Sequence, residues 1–341
     1  MTLGQLRTFL AVVQAGSIRG AATALVVTEP SVSAAIAALS RELGIPLTER
    51  VGRGIRLTEA GRVFAQYATT MLGLADRAGR AAREAAGRPG HVRVSAVTTA
   101  GEYILPPILA VFLRQERDLQ VTIDVGNRAG VLARLLNEQA DLAMGGRPPV
   151  GVAIEGEPFL DNPLVLVGRP DHPLRSRRSF DPELLSGETW LLREPGSGTR
   201  MATEELIAAN GIEPGSIMNV GSNGAIKRAA ELGLGVTMIS QDAVEEELAA
   251  GALALLQARG TPLRRSWYVL YRKDGALPSS ARLFLAFLRS TATASVRTQG
   301  SGPRASLAAP AADPRGQASR SRHAAESIET VFRVGDNRRG L

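Results

Sequence analysis

The 341-residue chain contains no cysteine. Disulfides, thiolate metal sites and cysteine nucleophiles are therefore excluded. Histidine is scarce as well. His91, His172 and His323 lie far apart, which argues against a metal site or a histidine-centred triad, and no catalytic residue stands out. No uncharged apolar run reaches the roughly 18 residues that a membrane-spanning helix needs. The first residues, around Arg7 and Arg19, show no signal-peptide pattern, so a cytoplasmic location is expected. Aromatics supply only 4% of the residues, leaving Leu, Val, Ile and Ala to fill the interior.

Positive charge is present, and it is unevenly placed. The formal net charge is +7, made up of +3 in residues 1–62, +2 in 63–89, −2 in 90–290 and +4 in 291–341. Two basic ends around a slightly acidic middle suit a polyanion-binding head on a neutral body. The length exceeds one ordinary core and implies two or three domains.

Residues 3–15 (LGQLRTFLAVVQA) place Leu3, Leu6, Phe9, Leu10 and Val13 at helical spacing, and Gly16 ends the run. Ser17 caps a second predicted helix, 18–25, whose Gly20, Ala21, Ala22 and Ala24 permit close packing. Thr28 caps a third, with Val32, Ile36, Leu39 and Leu43 as its buried stripe and Gly44 and Pro46 as its stop. Two helices on a short link, the second starting with small polar residues, form a helix-turn-helix. The stretch around VGRG (51–54) reads as a β-wing, and Thr58 caps a long helix running to about Ala86. Its apolar positions are Val63, Phe64, Tyr67, Ala68, Met71, Leu72 and Ala75, and pairing with a second subunit is expected there.

Beyond the linker Gly87, Pro89 and Gly90, strands and helices alternate: strand 91–97, helix 101–116, strand 121–126, helix 128–137 and strand 141–146. A second series runs through strands at 163–168, 189–194, 216–221 and 235–240 and helices at 199–210, 223–232 and 241–249. It closes with strand 265–272 and helix 279–290. This order predicts two α/β lobes with largely parallel sheets and a ligand cleft between them. From Thr291 onward Ala, Ser, Pro, Gly and Arg dominate. Residues 291–325 are expected to be disordered, with a brief local element at 327–334.

Leu6, Phe9, Gly16, Ser17, Ala21, Ala22, Leu25, Pro30, Ser31, Val32, Ser33, Ile36, Leu39, Leu43, Gly44, Leu47, Arg50, Leu57, Thr58, Ala60 and Gly61 together resemble the head of the LysR-type transcriptional regulators. The resemblance extends over about residues 2–290. Within the family, TTAGEYILPPILAVF (98–112), VGNRAGVLARLLNEQADLAMGGRPP (125–149), LREPGSGTR (192–200), VGSNGAIKRAAELGLGVTMIS (220–240) and LRRSWYVLYRK (263–273) are similar to the carbon-fixation, Calvin-cycle branch. The implied fold is α/β overall: a winged helix-turn-helix, a long linker helix, and a two-lobed effector domain like that of periplasmic binding proteins. The implied boundaries are 1–60 for the DNA-binding head, 61–90 for the linker or dimerisation helix and hinge, and 91–290 for the effector domain. Lobe I would take 91–164 and 267–290, lobe II 165–266, and the basic tail 291–341.

The third helix would then enter the major groove by its N-terminal half, with Thr28, Glu29, Ser31 and Ser33 as groove or phosphate contacts and Arg50, Arg53 and Arg56 on the wing. Here the head departs from the family pattern: relatives commonly carry Gln where this chain has Glu29, a polar residue such as Arg at Ala34, Glu at Ser40 and Phe at Thr48. A carboxylate accepts from cytosine N4 but repels phosphates, so sequence preference is altered more than binding itself. In the body, strand ends and helix starts nominate Ser95, Thr98, Thr99, Asn127, Arg128, Arg147, Ser197, Thr199, Arg200, Asn223 and Lys227 as effector contacts. Their hydroxyls and positive charges favour an anion. The resemblance adds sugar phosphates and nicotinamide nucleotides to organic acids as candidates, with no obligatory cofactor and no metal.

The implied partners are double-stranded promoter DNA, the effector, further copies in a homodimer or homotetramer, and RNA polymerase, with no membrane. Rival readings are a regulator of an unrelated metabolic or degradative operon, a solute-binding protein and an enzyme. GSGTR (196–200) lacks the Gly-Lys-Ser/Thr ending of a P-loop, and GLG at 233–235 precedes its strand instead of following it.

Overall fold

The computed structural model describes residues 1–52, 54–298 and 333–334. Its elements, in chain order, begin with α1 (Leu3–Ala15), α2 (Ile18–Leu25), α3 (Glu29–Leu43), β1 (Thr48–Val51), β2 (Gly54–Leu57) and α4 (Glu59–Ala85). Next come β3 (His91–Val97), a π-turn at Ala100–Ile104, α5 (Leu105–Gln115), β4 (Gln120–Gly126), α6 (Arg128–Leu136), β5 (Leu142–Gly145) and β6 (Ile154–Asp161). Then follow β7 (Leu164–Gly168), β8 (Arg178–Phe180), β9 (Thr189–Leu192), α7 (Gly198–Ala209), β10 (Ser216–Asn219), α8 (Asn223–Glu231) and β11 (Thr237–Ser240). The last are α9 (Glu245–Ala249), β12 (Ala254–Leu255), β13 (Gln257–Ala258), β14 (Ser266–Arg272), α10 (Ser279–Thr298) and β15 (Arg333–Val334). The chain divides into two compact units: residues 1–88 with 133–141, and the remainder.

In the first unit the caps are those the sequence nominates. The side chain of Ser17 accepts from Gly20 N, that of Thr28 from Ser31 N and that of Thr58 from Gly61 N, while Gly16 and Gly44 close α1 and α3 in the left-handed conformation. Leu6, Phe9, Val12, Ala21, Ala22, Val32, Ile36, Leu39, Leu47 and Ala68 form the core. Two expected core residues lie outside it: Leu3 is 45% and Leu43 39% exposed, because each sits on a terminal helical turn beyond the packed stripe. Val12 takes a core place that the periodicity had not assigned.

The same unit holds a tight contact between α4 and residues 137–141. An added Cβ on Gly73 would lie 2.1 Å from the carbonyl oxygen of Asn137. Thr70 Oγ1 donates to Asn137 Oδ1 at 3.1 Å. One and two turns further on, buried Arg77 pairs with Glu138, and buried Arg80 forks onto both oxygens of Asp141 at 2.8 and 2.9 Å. On α4, Val63, Tyr67 and Leu74 remain exposed.

The second unit has two lobes. The first is built on the strand order β15-β4-β3-β5-β14-β6. β4, β3 and β5 run parallel, whereas β14 is antiparallel to both β5 and β6. The sheet is thus mixed, not largely parallel as expected, because β14 re-enters the lobe from the opposite end. β6 was missed in the sequence. Gly156 and Pro158 break its pattern, yet an added Cβ on Gly156 would meet Leu270 Cδ2 at 2.5 Å, so close strand packing accounts for the glycine. The second lobe carries β11-β7-β12 antiparallel, β10-β9 parallel and β13-β8 parallel, around Leu166, Trp190, Leu192 and Met238.

The two crossings between the lobes run side by side. Asn162 N donates to Arg265 O at 2.7 Å, and Leu164 and Leu263 exchange backbone hydrogen bonds at 3.0 and 2.9 Å. α10 continues eight residues beyond the expected end at 290, so 291–298 are helical where disorder was expected. The expected disorder at 299–325 and the element at 327–334 fall outside the described residues, except that Arg333–Val334 pair in parallel with Asp124–Val125.

Candidate functional site

In the head, α2 and α3 meet at 110° across a three-residue link. Val32, Ile36 and Leu39 hold α3 down from within, which leaves Thr28, Glu29, Ser31, Ser33, Ala34, Ala37 and Arg41 outward. The Thr28 and Ser31 hydroxyls share a 2.8 Å hydrogen bond, which fixes the first turn. Glu29 makes no hydrogen bond or ion pair among the described residues. On the wing, Arg50 is exposed, and Arg56 pairs with Glu49 directly across the β1–β2 ladder at 2.8 Å. Arg53 lies outside the described residues.

In the second unit, a cleft with about 500 Å³ of empty space, part of it open to solvent, lies where both lobes contribute strand ends. Thr98, Thr99, Asn127 and Arg128 line it from the first lobe, and Ser197 and Thr199 from the second. Val97, Gly126, Gly146, Asn162, Arg193, Glu194, Gly198, Arg265 and Trp267 complete the wall. The Ser197 side chain accepts from Arg200 N at the start of α7, and Asn127 Oδ1 accepts from Gly130 N at 2.9 Å in the first turn of α6. Both helix starts, at Gly198–Thr199 of α7 and Arg128 of α6, therefore stand at the cleft wall.

Two guanidinium groups converge there. An added Cβ on Gly146 would lie 3.4 Å from both Arg128 Nη1 and Arg265 Nη2, so the glycine leaves the gap in which they meet. Arg128 donates to Arg147 O at 2.5 Å, and Arg265 to Gly198 O at 2.9 Å. Neither forms an ion pair among the described residues. Burial holds the Arg128 guanidinium below its usual range, with repulsion from Arg265 acting in the same direction. Burial likewise lowers Arg265, against a weaker pull from Glu205. Arg193, by contrast, is compensated by Glu194 at 2.8 Å.

Five nominated residues do not line the cleft. Ser95 is buried on β3 and donates to Asp124 O, and Arg147 points out to solvent beside Tyr268. Arg200 turns onto Glu204, Asn219 and the carbonyl of Arg193. Asn223 is wholly buried behind the wall, and Lys227 pairs with Glu247 over the ring of Tyr103. Conversely, Arg193 and Arg265 escaped the sequence reading. Their signals were a charge ending the apolar strand TWLL and a charge at the return crossing before SWYVLYR. Among the described residues, no group of three His, Cys, Asp or Glu side chains could hold a metal ion, and no single helix is long and apolar enough to cross a membrane.

Comparison with known proteins places both parts. Residues 3–62 match the model of the bacterial regulatory helix-turn-helix protein, lysR family, and residues 85–293 match the LysR substrate binding domain. The chain is 36% identical over 288 residues to the HTH-type transcriptional activator CmpR of Synechocystis sp., covering 84% of this chain and 94% of the relative. It is 35% identical over 291 residues to a RuBisCO operon transcriptional regulator of Acidithiobacillus ferrooxidans, covering 84% and 93%. Among solved structures, the CcmR regulatory domain of Synechocystis PCC6803 in complex with 2-PG aligns with a TM-score of 0.57 at 32% identity, over 59% of this chain and 97% of that one. With both halves matched in order along one chain, this protein belongs to the LysR family of DNA-binding transcription regulators.

Proposed function

We propose that the protein controls a carbon-fixation operon in response to a small, multiply charged anionic metabolite, of which a short phosphorylated acid is the favoured class. One observation carries the ligand half: Arg128 and Arg265 face one cleft and neither forms an ion pair among the described residues, both being depressed by burial and Arg128 also by its neighbour, with Glu205 offsetting only part of this at Arg265. Two positive charges without ion pairs, beside two helix starts, favour a multiply charged anion over a singly charged one. The relative with 2-PG bound and the RuBisCO-operon relative support the chemistry and the pathway, respectively.

In this reading α3 reads bases through Glu29, Ser31 and Ser33, and Thr28 with Arg50, Arg53 and Arg56 meets phosphates. The exposed Val63, Tyr67 and Leu74 of α4 then pack on a second copy, giving at least a homodimer on paired half-sites. The head, linker and effector divisions at 1–60, 61–90 and 91–290 follow the same logic.

Calorimetry with 2-PG and inorganic phosphate tests the ligand half. Arg128→Ala and Arg265→Ala should each weaken binding roughly 10- to 100-fold, the worth of a charge-assisted hydrogen bond. Unchanged affinity in both variants defeats the cleft assignment. Selection of genomic DNA fragments by the full chain, with and without 2-PG, tests the pathway. Enrichment near carbon-fixation genes supports it, and enrichment elsewhere replaces it with another metabolic operon.

A further inference from the structure

Asn223 was nominated as an effector contact, but the structure gives it a different position. It is fully buried, at the first residue of α8, where Ser222 already provides the cap. Its amide is therefore free for other partners and spends both ends on opposite lobes. Oδ1 accepts from Arg193 Nη1, within the second lobe. Nδ2 donates to Thr99 Oγ1 at 3.2 Å and to Glu102 Oε2 at 2.9 Å, both in the first lobe. One turn along α8, Lys227 lies 5.2 Å from the ring centroid of Tyr103, the neighbour of Glu102, while pairing with Glu247. One face of α8 thus meets one turn of the first lobe.

Both anchors of this contact are stiff. Glu102 and Tyr103 stand on the π-turn, a geometry common at functional sites. An added Cβ on Gly101 of that turn would meet Val125 Cγ2 at 2.7 Å, so the turn is seated directly on β4. On the other side, Arg193 is fixed by Glu194, and its carbonyl accepts from Arg200 at 3.0 Å. Thr99 and Arg193 also line the cleft, so two of the three residues that Asn223 holds stand in the ligand wall.

We infer that Asn223 is a positioning residue: a neutral latch that sets the spacing of the two lobes and thereby brings Thr99 and Arg193 to bear on the same anion. The spacing half stands on the hydrogen bonds alone, and the ligand half rests on the anion reading of the cleft. A neutral amide suits the place. A carboxylate would face Glu102, and an aliphatic side chain would leave Arg193, Thr99 and Glu102 each short of a partner.

The cysteine-free full-length chain permits a direct test. Spin labels at Gln115→Cys on α5 and Ala209→Cys on α7, diluted with unlabelled protein, report the distance between the lobes without ligand. The wild-type chain should give one distance population. Asn223→Ala and Asn223→Asp should each add a longer one and weaken 2-PG binding roughly tenfold, with Arg193 and Thr99 unchanged in sequence. If Asn223→Ala fails to fold, the Thr99→Val/Glu102→Ala pair removes the first-lobe acceptors instead and should give the same longer population. A wild-type distance distribution in these variants overturns the latch, even where affinity falls. A longer population in a protein whose wild type binds neither 2-PG nor inorganic phosphate leaves the latch standing and defeats the anion reading alone.

Discussion

Replacing Asp141 with Ala should destabilise the first unit severely, and the size of the loss follows from burial. Arg80 is 5% exposed and Asp141 1%, and the pair is bidentate at 2.8 and 2.9 Å. Burial alone would pull the Arg80 guanidinium down, but Asp141, with Asp76 at 3.3 Å, more than offsets it and holds the group above its usual range. A guanidinium is protonated at any ordinary pH, so Arg80 stays charged when its partner is removed. Breaking a buried pair from one side costs about 3–5 kcal/mol, because the surviving charge remains desolvated. The half-exposed Asp76 retains part of the compensation, which puts the loss near the lower end, about 3 kcal/mol.

Replacing both residues, as Arg80→Met with Asp141→Leu, should bring the cost back to within about 1 kcal/mol, since no buried charge is left unpaired and Asp76, which loses Arg80, is half-exposed. Urea unfolding of the full chain measures both quantities: wild type, Arg80→Met, Asp141→Leu and the double variant close a double-mutant cycle, and Asp141→Ala is measured beside them. A loss below about 1 kcal/mol for Asp141→Ala would refute the claim that this pair is desolvated and needed.

Other perturbations have defined outcomes. Ile36→Ala should cost about 2–5 kcal/mol of head stability, and its DNA-binding defect should disappear at temperatures where the variant is still folded. Gly73→Ala should destabilise despite the roughly 1 kcal/mol that alanine gains over glycine within a helix, because its Cβ would sit on the carbonyl of Asn137; a rise in melting temperature would contradict the contact. The Arg289 fork on Glu157, aided by the Tyr271 hydroxyl, holds the Glu157 carboxyl below the usual carboxylate range. A depressed carboxyl contributes stability that is present above its unfolded value and is lost as pH falls through the folded one. The stability difference between wild type and Arg289→Gln should therefore be full at neutral pH and shrink on acidification. Urea midpoints measured from about pH 7 to about pH 3 check this, and a constant difference would exclude it.

The head was legible because its signals are local. Ser17, Thr28 and Thr58 each cap a helix that begins at the next residue, and α1 and α3 end against glycines in a conformation that few other residues adopt. The body was legible as a succession of elements and less so as a topology. Nothing near β14 encodes that it pairs antiparallel with β5, since its partner lies more than a lobe away in sequence. Strand ends and helix starts nominate Thr98, Thr99, Asn127, Arg128, Ser197 and Thr199, and the structure places these six on the cleft wall. The same rule nominates Arg200 and Lys227, which lie off the wall because a long basic side chain near a cleft can turn to a local carboxylate, here Glu204 and Glu247. It also nominates Asn223, whose burial depends on a turn 120 residues earlier, around Tyr103.

The side-by-side crossings carry a consequence for synthesis. The second lobe begins and ends at hydrogen-bonded neighbours, so it is topologically complete once residue 265 has emerged. The first lobe is not: β5 ends at Gly145, and its partner β14 begins only at Ser266. At roughly 5–20 residues per second, β5 waits about 6–24 s on the ribosome with one edge unpaired. Throughout that interval the nascent chain presents an apolar, parallel three-stranded edge of the kind that recruits stray strands. The inserted lobe, folding first, is then the scaffold on which the enclosing lobe closes.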